Sequence, residues 1–343
     1  MSGSAFTEAT CTRITSENWN VKTFQFSLAR PHDPFSFTAG QYVTLGFEIA
    51  GEKAYRCYTV SSAPQCPQEE QFEITVKHSP GGTVSTWLHE NITVGATIEV
   101  SHPTGDFTLP KQESEALLFV AGGVGITPLI SMARAIRARR LSSDIQFLQF
   151  ARTPSDILFR NELLEIARSS PGITPHFFTS IGDNAVVTKG RLCRDLLDRA
   201  VPDWTSRRVF CCGPESFMAA MRLSFLETGA RPERFHQESF ELPEQAPVHV
   251  PPCVGVTRVR LSESGLDVKC DPGTTILDAV HALPNGPRIP NACRSGVCGT
   301  CKLRKLDGSV EMHHNGGITD EEIEDGFVLT CCSIPLSDVT VEY

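Results

Sequence analysis

Four of the thirteen cysteines have a spacing that suits metal chemistry. Cys293, Cys298 and Cys301 form a C-x4-C-x2-C run, and Cys331 follows after 29 intervening residues, with Cys332 directly behind it. This spacing is typical of thiolate ligands to a 2Fe–2S cluster. Zinc sites more often use paired C-x2-C hooks, and buried structural cysteines need no regular spacing. The pattern therefore predicts a two-iron site, with Cys331 or Cys332 as its fourth ligand.

The loop around these cysteines must curl tightly, because its thiolates have to reach two irons. Gly296 and Gly299 lie between the ligands, where unusual dihedrals and close backbone approach are needed. Backbone N–H groups of such a loop can point at the sulfurs and stabilise the negative charge of a cluster.

A second candidate site follows a short apolar run, Leu117 to Val120. The glycine-rich segment Gly122-Gly123-Val124-Gly125-Ile126-Thr127-Pro128 comes next, and then helical periodicity to Arg140. A strand, a glycine-rich turn and a helix can hold a pyrophosphate on backbone N–H groups at the helix N-terminus. The glycines do not follow G-x-G-x-x-G, so a purely structural connection stays an alternative.

Further apolar runs place this turn in an α/β domain. Residues 145–150, 175–179 and 208–212 are predicted strands, and residues 216–226 are a predicted helix. Alternating strands and helices predict a doubly wound parallel sheet, whose ligand lies at the carboxyl ends of the strands. Cys212 and Gly213 lie at such an end, where a small side chain suits packing against a nicotinamide ring.

Residues 10–110 alternate apolar and polar side chains between turns, which predicts a small antiparallel β-barrel. The predicted strands are 21–28, 42–48, 55–61, 71–77 and 97–101, with one short helix at 85–90. Alternation puts Arg56 and Tyr58 on one face, and a guanidinium beside a phenol ring suits an anionic planar aromatic ligand. Tyrosine packing and an ordinary surface arginine are the alternative.

Composition excludes several classes of protein. The 343 residues suggest two or three domains, and 40% hydrophobic with 21% charged residues is ordinary for a globular chain. A net charge of −9 disfavours nucleic acid or an anionic membrane as the main partner. The first ten residues do not resemble a secretory signal, and the longest apolar run, Ala116 to Ala121, is too short to span a bilayer. The thirteen cysteines then favour metal binding in the reducing cytoplasm over a disulfide scaffold.

Taken together, these segments resemble the ferredoxin–NADP reductase superfamily joined to a C-terminal plant-type 2Fe–2S ferredoxin domain. Arg56-x-Tyr58-Thr59-x-x-Ser62 is similar to the flavin motif of that family, and Gly81-Gly82-x-x-Ser85 to its second phosphate-binding turn. Gly122-Gly123-x-Gly125-Ile126-Thr127-Pro128 resembles the pyridine-nucleotide loop, and Cys212-Gly213-Pro214 the motif beside the nicotinamide. The C-terminal domain is then expected to be an α+β fold similar to the β-grasp.

The resemblance also implies roles for individual residues. Arg56 is expected to hold a flavin phosphate, Tyr58 to stack on the isoalloxazine, and Thr59 to approach flavin N5. The end of the chain is similar to the end of plant-type ferredoxins, which implies Cys331 rather than Cys332 as the fourth ligand. The other residues expected at the flavin or the nucleotide are Ser62, Gly82, Thr83, Val84, Ser85, Gly122, Gly123, Gly125, Thr127, Pro128, Arg152, Cys212, Gly213, Pro214, Glu238 and Phe240.

The order flavin, nucleotide, iron–sulfur resembles reductase components of Rieske oxygenases that demethylate quaternary amines, and the NADH reductase of hybrid cluster proteins. It implies electron transfer from NADH through FAD and a 2Fe–2S cluster to a partner protein. FMN is the alternative flavin, because phthalate-dioxygenase-type reductases use it with a similar motif. NADPH is the alternative nucleotide, since Arg152 is a candidate for its 2′-phosphate. A redox sensor or carrier without turnover is an alternative of another class.

The expected domains are a flavin barrel at 1–110, a nucleotide domain at 111–242, a proline-containing linker at 243–253 and a ferredoxin domain at 254–343.

Overall fold

The computed structural model describes residues 6–28, 35–49, 51–64, 71–110, 115–141, 144–240, 255–284, 286–291, 293–294, 296, 298–314 and 317–343. The expected linker at 243–253 lies outside these residues. The described chain falls into two compact units, one of residues 6–49 and 58–240 and one of residues 51–57 and 255–343. No helix within the described ranges is long and apolar enough to cross a membrane.

The N-terminal part of the chain is a six-stranded antiparallel sheet in the order β4-β3-β6-β1-β2-β5 with one helix. Its elements are β1 (Phe6–Asn18), β2 (Val21–Leu28), β3 (Tyr42–Ile49), β4 (Glu52–Thr59), β5 (Gln71–Lys77), α1 (Thr83–Asn91) and β6 (Thr97–Ser101). Strands β2, β5 and β6 have the predicted bounds. Strand β1 was not predicted, because its polar residues interrupt the alternation of apolar and polar side chains and its second half is mostly exposed.

The sheet curls into a barrel around aromatic side chains. An antiparallel bridge joins Val60, just beyond β4, to Ile74 of β5 and so links the two edges of the sheet. Phe24 and Phe26 of β2 and Phe72 of β5 are fully buried, since alternate residues of a strand point to the same face. The predicted antiparallel barrel is confirmed.

The middle of the chain is a parallel sheet in the order β10-β9-β8-β7-β11-β12 with four helices. Its elements are β7 (Ala116–Gly122), α2 (Ile126–Arg139), β8 (Asp144–Ala151), α3 (Arg160–Ser169), β9 (Ile173–Thr179), β10 (Val187–Lys189), α4 (Arg194–Ala200), β11 (Arg208–Cys212), α5 (Glu215–Leu226) and β12 (Phe235–Glu238).

The strand order of this sheet locates a ligand crevice. The chain continues from β7 to β8 on one side, and later returns to place β11 on the other side of β7. Such a reversal opens a crevice outside the carboxyl ends of the two strands. Apolar side chains on both faces of the sheet form two buried clusters, with Phe119 and Phe147 on one face and Leu118 and Leu148 on the other.

The C-terminal part forms a five-stranded sheet, β14-β13-β19-β15-β17, and a two-stranded sheet, β16-β18. Its elements are β13 (Thr257–Leu261), β14 (Leu266–Cys270), α6 (Ile276–His281), β15 (Lys302–Asp307), β16 (Val310–Met312), α7 (Asp320–Glu324), β17 (Phe327–Leu329), β18 (Ser333–Pro335) and β19 (Val339–Val341). Helix α6 is capped by Thr275, whose hydroxyl accepts from the Asp278 N–H at 3.1 Å. Apolar residues of α6 and the sheet pack in one core, as expected for an α+β domain.

Candidate functional site

The ends of three neighbouring strands bring the first set of predicted residues together. Ala121 of β7 and Glu238 of β12 lie on either side of Cys212 of β11. A Cβ at Gly125 would lie 2.3 Å from the Cys212 carbonyl oxygen, so this close approach of the loop to β11 requires glycine. The sheet therefore brings the glycine-rich loop and Cys212 together at the crevice.

The glycine-rich loop leaves room for a ligand above helix α2. Gly123 has φ of +56°, a left-handed conformation that favours glycine, and nothing lies within 4 Å of a Cβ built there. Thr127 and Pro128 are buried, and the Thr127 hydroxyl donates to the Val124 carbonyl at 3.2 Å. A positive-φ glycine facing open space at the start of a 14-residue helix fits a pyrophosphate bound to backbone N–H groups.

The predicted flavin residues follow strand β4. Arg56 is exposed, Tyr58 is half-buried and Thr59 is buried at the end of the strand. The Ser62 hydroxyl accepts from the Glu73 N–H at 3.1 Å, so this serine anchors the segment to β5. An exposed guanidinium two residues from a half-buried phenol ring fits a ligand with both a phosphate and a flat aromatic part.

The second phosphate turn leads into helix α1. Gly82 precedes its first residue, Thr83, and Val84 is buried. The Ser85 hydroxyl accepts from the Ser79 N–H at 3.2 Å and donates to the Gly82 carbonyl at 3.4 Å. Ser85 therefore shapes the turn, and the N–H groups at the start of α1 are the donors available to a phosphate.

A carboxyl, a hydroxyl and a thiol meet where the barrel and the parallel sheet join. The Thr59 hydroxyl donates to a Glu238 carboxylate oxygen at 3.4 Å, and Cys212 is the β-partner of Glu238. The Glu238 residue keeps some solvent contact, but protein atoms surround its carboxyl densely, and this burial raises its pKa to about 8. Burial and the nearby Glu238 raise the pKa of the Cys212 thiol well above its usual range. Both groups hold their protons at neutral pH.

The remaining predicted residues lie around the same crevice or at its margin. Gly213 and Pro214 follow β11, and Pro214 precedes the first residue of α5. Arg152 follows β8 with its side chain exposed. Phe240, two residues past β12, is 44% exposed.

The predicted cluster ligands form two thiol pairs within the C-terminal unit. The Cys293 N–H donates to Cys298 Sγ at 3.4 Å, and the Cys298 N–H donates to Cys293 Sγ at 3.3 Å. Cys301 and Cys331 are linked by a thiol–thiol hydrogen bond, and Cys331 also contacts Cys293. The Cys332 thiol also contacts Cys331 and donates to the Leu329 carbonyl at 3.6 Å. The four predicted thiols therefore lie in one connected group.

The loop geometry fits a two-iron cluster. Gly296 and Gly299 have φ of +71° and +70°, and a Cβ at Gly299 would lie 2.8 Å from the Gly317 carbonyl oxygen. Among the described residues, no three His, Cys, Asp or Glu side chains surround one point as a single metal ion would need. Two pairs of thiols agree with a cluster in which four cysteines serve two irons.

Two polar residues on helix α2 contact the barrel and were not singled out from the sequence. The Ser131 hydroxyl donates to the Ser62 carbonyl, and Arg134 donates to the Ser61 carbonyl. Their signal in the sequence is weak: two polar residues three positions apart on a helix that is otherwise mostly buried and apolar.

Three domain families match this chain in succession. Residues 8–109 match the oxidoreductase FAD-binding domain, residues 119–223 the oxidoreductase NAD-binding domain, and residues 259–336 the 2Fe-2S iron-sulfur cluster binding domain.

Several relatives align with this chain over nearly its whole length. The chain is 40% identical to the glycine betaine monooxygenase reductase subunit of Chromohalobacter salexigens, over 97% of this chain and 94% of the relative. It is 37% identical to the stachydrine N-demethylase reductase subunit Stc4 of Rhizobium meliloti, over 97% and 95%. It is 31% identical to the NADH oxidoreductase HCR of Escherichia coli, over 96% and 95%.

Solved structures support the same fold. Phthalate dioxygenase reductase, described as a modular structure for electron transfer from pyridine nucleotides to [2Fe-2S], has a TM-score of 0.59 and 25% identity, covering 98% of both chains. An intact type IV self-sufficient cytochrome P450 monooxygenase has a TM-score of 0.75 and 24% identity, covering 98% of this chain and 41% of that one.

Proposed function

The chain belongs to the family of NADH-dependent reductases that combine FAD-binding, NAD-binding and 2Fe–2S domains, and on this premise we propose that it is the reductase component of a Rieske-type N-demethylase. Its partner is then a terminal oxygenase acting on a quaternary N-methylated amine. The observation that carries the proposal is the close, nearly end-to-end similarity to reductase subunits named for glycine betaine and stachydrine.

When bound, the flavin would supply a hydride acceptor for NADH, and the 2Fe–2S cluster would supply single-electron transfer to the partner. The residues of the chain bind and orient these groups. Arg56 and the N–H groups at Gly82, Thr83 and Val84 hold the flavin phosphates, with Ser85 shaping the turn. Tyr58 stacks on the flavin ring, and Phe240 lies at its margin.

The nucleotide is held by the loop at the start of α2. Gly122, Gly123 and Gly125 let the backbone approach the pyrophosphate, and Thr127 and Pro128 support the first helical turn. Cys212, with Gly213 and Pro214, forms the wall beside the nicotinamide. Arg152 lies after β8 and faces the outer part of the nucleotide.

The groups that meet near the hydride path keep their protons. Glu238 and the Cys212 thiol are neutral at neutral pH, so neither places a negative charge beside NADH. The Thr59 hydroxyl holds the Glu238 carboxyl in place. We propose that Thr59, Cys212 and Glu238 keep charge and water away from the place where the nicotinamide and the flavin meet.

The cluster ligands in this proposal are Cys293, Cys298, Cys301 and Cys331. The proposal includes domains at 1–110, 111–242 and 254–343 with a linker at 243–253, and it is supported by strands that lie at 6–101, 116–238 and 257–341. A cytoplasmic location follows from the need of free thiols and of NADH for a reducing compartment.

The proposal is tested by reconstitution. The purified chain, loaded with FAD and iron–sulfide, is mixed with NADH under argon, and flavin and cluster absorbance are followed. A Rieske-type oxygenase and glycine betaine are then added in air, and NADH oxidation is compared with formaldehyde release. We expect one formaldehyde for each NADH, because one two-electron reduction supports one methyl hydroxylation.

The alternatives give different outcomes. Rapid reduction of both groups without coupled demethylation, but with coupled reduction of a hybrid cluster protein, would contradict the assigned partner. Tight binding of both groups without NADH turnover would contradict the reductase activity itself and favour a sensor or carrier.

A further inference from the structure

Helix α2 contacts the barrel at the end of the flavin motif. Ser131 Oγ donates to the Ser62 carbonyl oxygen at 2.6 Å, and Arg134 Nη1 donates to the Ser61 carbonyl oxygen at 2.7 Å. The same helix begins at the glycine-rich nucleotide loop. One rigid element therefore contacts both the nucleotide loop and the segment that follows Tyr58 and Thr59.

The barrel side of this contact is itself rigidly held. The Ser61 N–H donates to the Glu73 carbonyl at 2.7 Å, and the Ser61 hydroxyl is 3.0 Å from the Thr75 hydroxyl. The Glu73 N–H donates to the Ser62 hydroxyl at 3.1 Å. The Ser61 and Ser62 carbonyls, which accept hydrogen bonds from α2, are thus fixed to β5. A movement of α2 away from them would therefore be a movement relative to the whole barrel.

The guanidinium of Arg134 joins three elements at once. Its Nε and Nη2 donate to the two carboxylate oxygens of Glu162 of α3, both at 2.7 Å. Its Nη1 also lies 3.3 Å from a carboxylate oxygen of Glu73. The side chain is only 17% exposed. A planar group with donors on several edges can make this set of contacts, and a lysine ammonium cannot.

A strained residue lies against the same guanidinium. Arg134 Cζ is 5.0 Å from the centre of the Phe159 ring. Phe159 has φ of +53°, which is unfavourable for a bulky side chain. Such a conformation persists where the surroundings over-determine it. The Phe159 ring and Glu162 together hold Arg134 in one orientation.

Electrostatics keep this arginine charged. Burial disfavours its charged form, but the hydrogen bond to Glu162 and the negative charges of Glu162 and Glu73 outweigh that effect and raise the pKa of Arg134. Arg134 therefore does not lose these contacts by deprotonation.

We propose that Arg134, assisted by Ser131, is a positioning residue that sets the distance between the flavin strand and the nucleotide loop and thereby the rate of hydride transfer. The inference rests on the proposed function. Arg134 acts through the Ser61 carbonyl, and Ser131 through the Ser62 carbonyl. Hydride transfer depends steeply on this distance, because a misplacement of about 1 Å can reduce a rate about 100-fold.

A contact between the barrel and the nucleotide domain at the protein surface is weaker. Trp19 Nε1 donates to an Asp156 carboxylate oxygen at 3.3 Å, and the Trp19 residue is 81% exposed. A single long hydrogen bond at the surface constrains position much less than the buried set around Arg134.

The test compares Arg134→Lys with wild type in the FAD-loaded full-length protein. We expect the limiting rate of flavin reduction by NADH to fall at least about ten-fold, with the dissociation constant for NAD+ within about two-fold. Hydrogen exchange, measured without nucleotide, should rise at the Ser61 to Ala63 segment. Ser131→Ala should show the same pattern to a smaller extent.

Two arginines supply matched controls. Arg207 is also buried, but it pairs with Asp144 and Asp203 at the amino-terminal edge of the sheet, so Arg207→Lys should lower the melting temperature without changing the limiting rate. Arg137 lies one helical turn beyond Arg134, is exposed, and has its acidic partner Glu165 at 3.9 Å. Arg137→Lys should change neither property.

The outcomes separate the two proposals. An Arg134→Lys protein that melts lower, as Arg207→Lys does, but reduces its flavin at the wild-type rate would overturn the positioning role. If Arg134→Lys does not fold, an unchanged rate and exchange pattern in Ser131→Ala would overturn it. A wild-type protein that binds FAD and NAD+ but shows no flavin reduction would instead contradict the proposed function.

Discussion

Cys212 and Cys298 are the same residue type in two sites with different surroundings. Cys212 lies fully buried at the end of β11, and burial together with the nearby Glu238 keeps its thiol protonated. Cys298 is half-buried and receives hydrogen bonds at its sulfur from the Cys293 N–H at 3.4 Å and the Thr300 hydroxyl at 3.2 Å. The Cys293 thiol and burial raise the pKa of the Cys298 thiol as well, so both cysteines hold their protons in the metal-free protein. The two donors aimed at the Cys298 sulfur would stabilise the thiolate that iron binding requires.

The difference matches the two kinds of chemistry. In the proposed function a hydride moves at the end of β11, where uncharged groups that keep water and charge away are useful. In the same proposal single electrons pass at the cysteines of residues 293–301, where thiolate ligands that accept hydrogen bonds from backbone N–H groups are useful. One residue type therefore serves both sites, because Cys298 lies in a group of thiols that can bind iron together, whereas Cys212 lies in an apolar cluster.

Cys298→Ser is expected to have the largest effect, and it tests the difference between the Cys212 and Cys298 sites. The protein should lose its bound iron and the visible absorption of the cluster, because an alcohol is a much poorer ligand than a thiolate. Flavin reduction by NADH should change less than about two-fold, since the two sites lie in different modules. Iron analysis, absorbance and stopped-flow kinetics measure these three properties.

Cys332→Ser is the control, and the cluster should survive it. Loss of the cluster in Cys332→Ser but not in Cys331→Ser would show that the fourth ligand is assigned wrongly. Loss of flavin reduction in Cys298→Ser would contradict the independence of the two sites.

The next largest effect is expected from Cys212→Ser. The serine hydroxyl would be buried in an apolar cluster, where the Gly213 N–H that contacts the Cys212 sulfur is its available partner, and burying this polar group costs about 1–3 kcal/mol of stability. Its different size and polarity beside the nicotinamide should slow flavin reduction by about ten-fold. Iron content and cluster absorbance should stay at wild-type levels.

Cys211→Ser is a close match, because Cys211 is equally buried on β11 but faces the other apolar cluster. Cys211→Ser should lower the stability by a similar amount and leave the rate of flavin reduction unchanged. Equal slowing in both variants would mean that Cys212 acts only through general stability.

The smallest effect is expected in the pH dependence of stability, which Glu238→Gln should change. The pKa of Glu238 is raised by burial from 4.5 to about 8, so between these pH values the folded protein holds a proton that the unfolded chain has released. Wild-type stability should therefore fall as pH rises from about 4.5 through about 8, and that part of the decline should be absent in Glu238→Gln. The temperature of flavin release, followed by flavin fluorescence between pH 5 and 9, measures the difference.

Glu227→Gln, at the exposed end of α5, should keep the wild-type pH profile. If stability changes with pH in the same way in wild type and Glu238→Gln, then the pKa of Glu238 is not raised. That result would contradict the proposal that Glu238 is protonated at neutral pH.

Much of the fold could be predicted from local pattern. The bounds of β5 and β11 agree with the predicted strands 71–77 and 208–212, because short buried strands show directly as alternating or apolar residues. Strand β1 and helix α3 were not predicted. Polar residues interrupt the alternation of β1, and α3 exposes much of its surface, so tertiary pairing and packing stabilise both more than local sequence does.

The candidate site divides in the same way. Ligand spacing and glycine-rich turns are local features, so Cys293, Cys298, Cys301 and the loop before α2 are visible in the sequence alone. The Thr59–Glu238 contact joins residues 179 positions apart, and the Arg134–Ser61 contact joins residues 73 positions apart. No local pattern marks such pairs.

The sequence by itself determined which chemical groups this protein carries and in what order, because motifs that bind phosphate or iron are short and contiguous. Only the tertiary structure decided how those groups behave. The raised pKa of Glu238 and the buried charge of Arg134 arise from desolvation and from partners on distant strands and helices. Such effects depend on where the chain folds back on itself, which is a property of the whole packed structure.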